Sequence, residues 1–348
     1  MKKFFIGLLK AVGYFAVYYV MQLVVTMVFA IVKAFPVAMK YAMGGSLVSD
    51  PAVFSAYMDE VIRIVMDTAL PAVIVSGLLT VGLFWLIFAC RKKKFVKEVG
   101  IRKMNPVAVA PLVLMGLSFN ILTSLMFALV PQEAMDSYIE SSSFVLSGNM
   151  VTVVIATVIM APIVEEIVFR GLVYTRLKKG MPAVVAAILA SALFGFAHGQ
   201  WLWMIYTSVF GMVLVWVYER TKSLFAGMLL HFGYNLCSVL LGLLPEDTPD
   251  WMGLVLIAVA VVVAALGIFW FVKLPKGKLP EEPVVAAEPL PEPEEVSEEE
   301  ETAEDGSSSD EEKATDDSLV GDVAEAVGAV AGVAGAVAEI AEAVIENI

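Results

Sequence analysis

APIVEEIVFRGLVYTRLKKGMPAVVAAILASALFGFAH, residues 161–198, places two adjacent carboxylates, Glu165 and Glu166, inside an apolar run and ends the next apolar run with His198. Arg170 follows Glu166 by four residues, so on a helix the two side chains are neighbours. The chain has two histidines, and the other, His231, stands in LLHFGYN at 229–235. Ionisable groups within a membrane are costly to keep and are read as functional by default. The rest of the chain reads as an apolar container for them.

Composition supports that setting. The 348 residues are 59% hydrophobic, with mean hydropathy +0.82, against roughly 45–50% apolar residues in a soluble domain. The fold class expected is all-α: a polytopic membrane protein of about eight transmembrane helices. A span takes roughly 20 apolar residues, and candidates lie near 5–32, 64–90, 106–130, 149–174, 182–199, 202–218, 224–244 and 251–273. The first run, behind Lys2 and Lys3, is too long for a signal-peptide core and shows no small-residue cleavage site. Cys90 and Cys237 imply no disulfide framework.

Charge is divided along the chain. Residues 281–348 hold 22 of the 36 acidic residues and one base, Lys313, leaving residues 1–280 with 14 acids, 22 bases and a net charge of +8. Within this body, bases crowd alternate loops: Arg91 to Lys103, Arg176 to Lys179, Arg220 with Lys222, and Lys273 to Lys278. The loops 131–148 and 245–250 contain none. The Lys/Arg bias puts the basic side, and both termini, in the cytoplasm of a multi-pass plasma-membrane protein. The stretch 33–63, with Lys33, Lys40 and Arg63, fits this scheme least well and reads as a long, partly helical outer loop.

The domain reading is a membrane-embedded unit over 1–275, a disordered acidic Pro/Glu/Ser-rich linker over 276–317, and a weak amphipathic helix over 318–348. The linker has too few large apolar side chains to offset its conformational entropy, and glycines weaken the last helix. The tail is either a solvated spacer or a docking site for a basic protein partner. The other partners implied are the lipid bilayer and a peptide or protein substrate in or at it, with no nucleic acid.

Spacing brings the polar groups to one layer. Glu165 stands 15 residues before Gly180 and His198 stands 17 after Met181, so in an antiparallel hairpin both lie roughly 23–25 Å along their helices. His231 and Asn235 are four apart and share a helix face. Each group has a plain structural reading beside the functional one. Glu166 with Arg170 makes a satisfied ion pair, each histidine a core imidazole, and Asn235 interhelical glue as readily as an oxyanion donor. Asn120 reads as glue. Glu165 has no local cation and is the candidate general base.

The chemistry that fits is peptide hydrolysis. A carboxylate takes a proton from water, a histidine orients the water or shuttles the proton, and imidazole and carboxamide donors hold the oxyanion. There is no Gly-x-Ser-x-Gly elbow and no His-Glu-x-x-His zincin motif. Glu165, His198 and His231 would equally make a three-ligand site for zinc or another divalent metal. The sequence does not separate metal-bound water from water activated directly by Glu165.

Glu165-Glu166-x-x-x-Arg170, Phe194-x-x-x-His198 and His231-x-x-x-Asn235, complete and in order, resemble the three motifs of the CPBP intramembrane proteases. That family joins type II CAAX prenyl endopeptidases with bacteriocin-processing and bacteriocin-immunity proteins. The resemblance covers roughly 106–245. It implies a helical core with a cavity reached from the cytoplasm or the bilayer, and a water activated by Glu165 and His198. It also implies an oxyanion bound by His231 and Asn235, and Glu166 and Arg170 as braces. The family carries a metallopeptidase label, whereas its best-understood mechanism is glutamate-dependent. Two other classes compete: a membrane scaffold or immunity protein that acts by binding, and a proton-coupled carrier. The carrier lacks a matching second half.

Overall fold

Residue types at the helix starts explain where the elements begin. In the computed structural model, Asp50, Asn105 and Asn149 each accept a hydrogen bond from the backbone N–H two residues on, at 2.9–3.0 Å. Gln200 takes that of Trp203 at 2.9 Å. Such acceptors satisfy N–H groups that a helix start leaves open. The structure describes residues 2–44, 50–127, 130–146, 148–245 and 247–277. The described residues form helices and no strand: α1 Lys2–Met43, α2 Pro51–Cys90, α3 Phe95–Val99, α4 Pro106–Phe127, α5 Gln132–Leu146, α6 Met150–Leu177, α7 Ala183–Phe196, α8 Trp201–Thr221, α9 Leu224–Leu241 and α10 Asp250–Lys273.

Seven of these are long and apolar enough to cross a membrane, and the chain is an integral multi-pass membrane protein. The eighth expected span, 182–199, is shorter than the rest. Its helix, α7, has 14 residues, about 21 Å at 1.5 Å per residue. It stops because Gly199 turns the chain through a left-handed conformation (φ 75°) and Gln200 caps the next helix.

The long loop expected over 33–63 is not there. The first helix continues to Met43 and the second begins at Pro51. Each is therefore about 60 Å long, twice the ~30 Å hydrocarbon thickness. The bases that suggested a loop, Lys33, Lys40 and Arg63, lie on these two paired helices. Lys40 lies 3.6 Å from Glu60, and Tyr41 packs edge-on to Tyr57 at 5.5 Å. The linker read over 276–317 and the helix read over 318–348 lie outside the described residues, save Lys276 and Gly277.

Four pairings build the bundle: α1 with α2, α7 with α8, α4 with α9 and α4 with α10. α6 is the hub and touches α1, α2, α3, α7, α8 and α9. The α4–α9 crossing is close because Gly116 and Gly233 each set bare backbone against the other helix, facing Leu230 O and Val113 O. In lipid, where apolar burial gives helices no drive to associate, small residues gain packing this way.

The basic loops are tied together at one end. Glu219 accepts from Lys178 and Lys222, each at 2.6 Å, and from Tyr174 Oη at 3.0 Å. Arg176 donates to Glu98 at 2.9 Å, and Arg220 to Leu274 O at 2.9 Å.

Candidate active site

The central helix α6 is not uniformly wound. Val154–Met160 and Glu166–Tyr174 are π-helical, a winding found preferentially at functional sites. Pro162 follows the first π segment. In that segment's register Ala161 N–H bonds to Ala156 O, five residues back. Pro162 would come next, facing Thr157 O, but proline has no N–H. The freed carbonyl is taken by another helix: Asn235 Nδ2 on α9 donates to Thr157 O at 2.7 Å. One N–H of the Asn235 amide is thus committed, and the amide carries a second.

The two glutamates have different surroundings. Glu166 is 0% exposed. Its Oε1 accepts from Arg170 Nη1 at 2.9 Å. Arg170, 1% exposed, also donates to Gly211 O at 3.2 Å, and its guanidinium lies 4.3 Å from the Phe194 ring centre. Glu166 Oε2 packs against Gly227, where a Cβ would collide with it. Glu165 keeps 13% of its side chain exposed.

His231 stands between them. Its Nε2 lies 3.7 Å from Glu165 Oε2 and its Nδ1 lies 3.5 Å from Glu166 Oε1. Phe194 and Phe210 hold the ring edge-on, at 5.9 and 5.4 Å. His198 is placed by the short turn after α7, where its Nδ1 is 2.8 Å from Phe194 O. A carbonyl only accepts, so Nδ1–H donates and the neutral ring presents Nε2 as an acceptor.

Glu165, His198, His231 and Asn235 line one cavity of about 450 Å³, together with Thr157, Phe194, Tyr206, Phe210 and Tyr234. Glu166 and Arg170 are not in its lining. They lie beneath it and position the groups that are. Glu165 is the one carboxylate in the lining. Among the described residues no three side chains of His, Cys, Asp or Glu are grouped as a metal-holding set. Glu165, His198 and His231 nevertheless share the one lining, with His231 Nε2 3.7 Å from Glu165 Oε2. Asn120 joins α4 to α9 by donating to Ser238 Oγ at 2.7 Å, the bridging role expected of it.

Sequence reasoning missed Thr157 and Gly227. The first is signalled only by Pro162, five residues on. The second precedes His231 by four residues and so shares its helix face.

Comparison with known proteins falls on this same segment. Residues 147–237 match the family described as type II CAAX prenyl endopeptidase Rce1-like, and this stretch contains all three motifs. A protein of Bacillus subtilis (strain 168) named "Putative membrane peptidase YdiL" is 27% identical over 92 residues, which is 26% of this chain and 38% of that relative. The match thus spans well under half of the relative's length. No solved structure matches the chain significantly. The resemblance to the CPBP proteases read from the motifs holds over the segment that carries the site.

Proposed function

We propose that the protein is an intramembrane endopeptidase that hydrolyses a peptide bond with a water activated by Glu165. The observation that carries the reading is convergence. Four polar side chains from three separate stretches of chain line one cavity, and the single carboxylate among them is Glu165. Its neighbour Glu166 is neutralised by Arg170 at 2.9 Å and is not available as a base.

In the step proposed, Glu165 takes a proton from water as the water oxygen bonds to the scissile carbonyl carbon. His198 Nε2 accepts the water's other hydrogen and fixes its direction. The carbonyl oxygen becomes an oxyanion, held by His231 Nε2–H and by the second N–H of Asn235. On collapse the C–N bond breaks, and Glu165 passes its proton to the leaving amine. Should a divalent metal bind at Glu165, His198 and His231, it would supply Lewis-acid polarisation of that water. We place the protein in the cell membrane with the basic loops and both termini in the cytoplasm, supported by the Lys/Arg bias. Substrates are CAAX-type or bacteriocin- or signal-like peptides at the membrane.

A second reading is a non-proteolytic scaffold or bacteriocin-immunity protein. The engagement of Asn235 with Thr157 O suits it, because that contact is structural. The deciding experiment compares cells carrying wild-type and Glu165→Gln protein. Under the protease reading, substrate-derived peptide termini vanish in the variant while its membrane level is unchanged. Identical termini in both would favour the scaffold.

A further inference from the structure

The cavity lies toward one end of the helices that line it. Its lining comes from the last turns of α4, from α5, from the N-terminal halves of α6 and α8, and from α9 beyond His231 to Gly242. Phe194 and His198 at the end of α7 and Leu70 and Val73, midway along α2, complete it, and no lining residue belongs to the basic loops. On the other side of Glu165 the chain is sealed: every residue from Glu166 to Tyr174 is buried. Phe169 and Phe194 close the floor at 0% and 1% exposure. Further down, the ties of Glu219 and Glu98 lock the basic loops over it.

The far end carries a cover of a different kind. α5 brings Tyr138 to 4.6 Å from Phe127 and edge-on to Trp203 and Tyr206, both at 6.3 Å between ring centres. Tyr138, Phe127, Trp203 and Tyr206 all line the cavity. α5 itself has Glu133 in its first turn, and no Lys or Arg occurs between 131 and 148. From Glu165 the cavity therefore extends toward the end opposite the basic loops, beneath an aromatic cover.

We infer that the site is entered from the face opposite the basic loops, the extracytoplasmic face by the Lys/Arg bias, past Tyr138 on α5. Its substrate class is then an exported or membrane-inserted peptide presented on that face. This narrows the substrates proposed above and departs from the cytoplasmic access that the family resemblance implies: a CAAX-type C-terminus presented from the cytoplasm would meet the buried stretch Glu166–Tyr174 instead. The inference rests on the endopeptidase reading for its substrate, but the direction of entry can be tested without any activity.

Two native features make the test clean. Cys90 is exposed at the basic end of α2, and Cys237 is buried in α9. In a Cys237→Ala background, Ser142→Cys places a thiol on α5 at the mouth. Intact cells are treated with a membrane-impermeant maleimide and then permeabilised. The expected result is labelling of Ser142→Cys in intact cells and of Cys90 only after permeabilisation. The opposite order, or labelling of both only after permeabilisation, overturns the inference while leaving the protease reading standing.

A second arm uses proteoliposomes sorted by the same labelling, with a peptide substrate supplied on one side. Cleavage is expected only from the side on which Ser142→Cys reacts, and is lost in Glu165→Gln. Tyr138→Ala is expected to change KM for a long peptide more than for a short one, which a merely structural tyrosine would not do. Cleavage from the Cys90 side refutes the direction of entry. Absence of cleavage from both sides refutes the enzyme reading and leaves the labelling result intact.

Discussion

Replacing Pro162 by Ala tests how the site is braced. Alanine restores the N–H that the π register directs at Thr157 O, the oxygen now held by Asn235 Nδ2 at 2.7 Å. In the native background, Asn235→Ala strips that carbonyl of its partner. A buried polar group left unsatisfied costs about 1–3 kcal/mol. In the Pro162→Ala background the new N–H takes over, so the same Asn235→Ala change should cost less by about that amount, the coupling that a double-mutant cycle measures. Thermal or denaturant unfolding of the four variants in detergent or nanodiscs gives the coupling directly. Activity should move the other way. Pro162→Ala releases Asn235 from its anchor, and a mispositioned donor lowers the cleavage rate by about tenfold for each 1.4 kcal/mol of transition-state stabilisation lost. Equal costs for Asn235→Ala in both backgrounds would refute the claim that the proline's missing donor is what Asn235 replaces.

The other predictions concern the floor and the base. Arg170→Met should destabilise the protein by about 3–5 kcal/mol, because it leaves the Glu166 charge buried without compensation. Adding Glu166→Gln should recover most of that loss, as unfolding midpoints of the single and double variants would show. Gly227→Ala drives a methyl group into Glu166 Oε2 and should cost about 1–3 kcal/mol as overpacking, measured the same way. Glu165→Gln should abolish cleavage without lowering the unfolding midpoint, since its contact with His231 Nε2 is long, at 3.7 Å, and Gln keeps the side chain's shape. Dialysis against a strong chelator should leave both activity and midpoint unchanged; a loss restored by zinc would assign a metal to the mechanism.

The local chemistry of the site was legible because it is written at short range. Glu166 and Arg170 are four apart and pair as a helix dictates. His231 and Asn235 reach one cavity because they too are four apart on a single helix. Depth counted from the turn at Gly180 brought Glu165 and His198 to the same layer. The extent of α1 and α2 was hidden, since Lys40 and Glu60 make polar helix look like loop until the partner helix is known. α7 is shorter than the 182–199 read for it because its apolar run continues past Phe196 while Gly199 ends the helix geometry. The link from Thr157 to Asn235 joins residues 78 apart. The direction in which the cavity extends depends on which halves of seven helices are packed around it, a property of the tertiary arrangement.

The sealed floor beneath Glu165 has an electrical consequence. A water-filled notch reaching into a bilayer invites leakage of protons and ions, and an isolated charge at its base would feel about 2.3 kcal/mol per 100 mV of membrane potential. Here the two charges at the base, on Glu166 and Arg170, sit 2.9 Å apart and cancel, so the field exerts almost no net force on them. The floor therefore carries no net charge of its own for the membrane potential to act on.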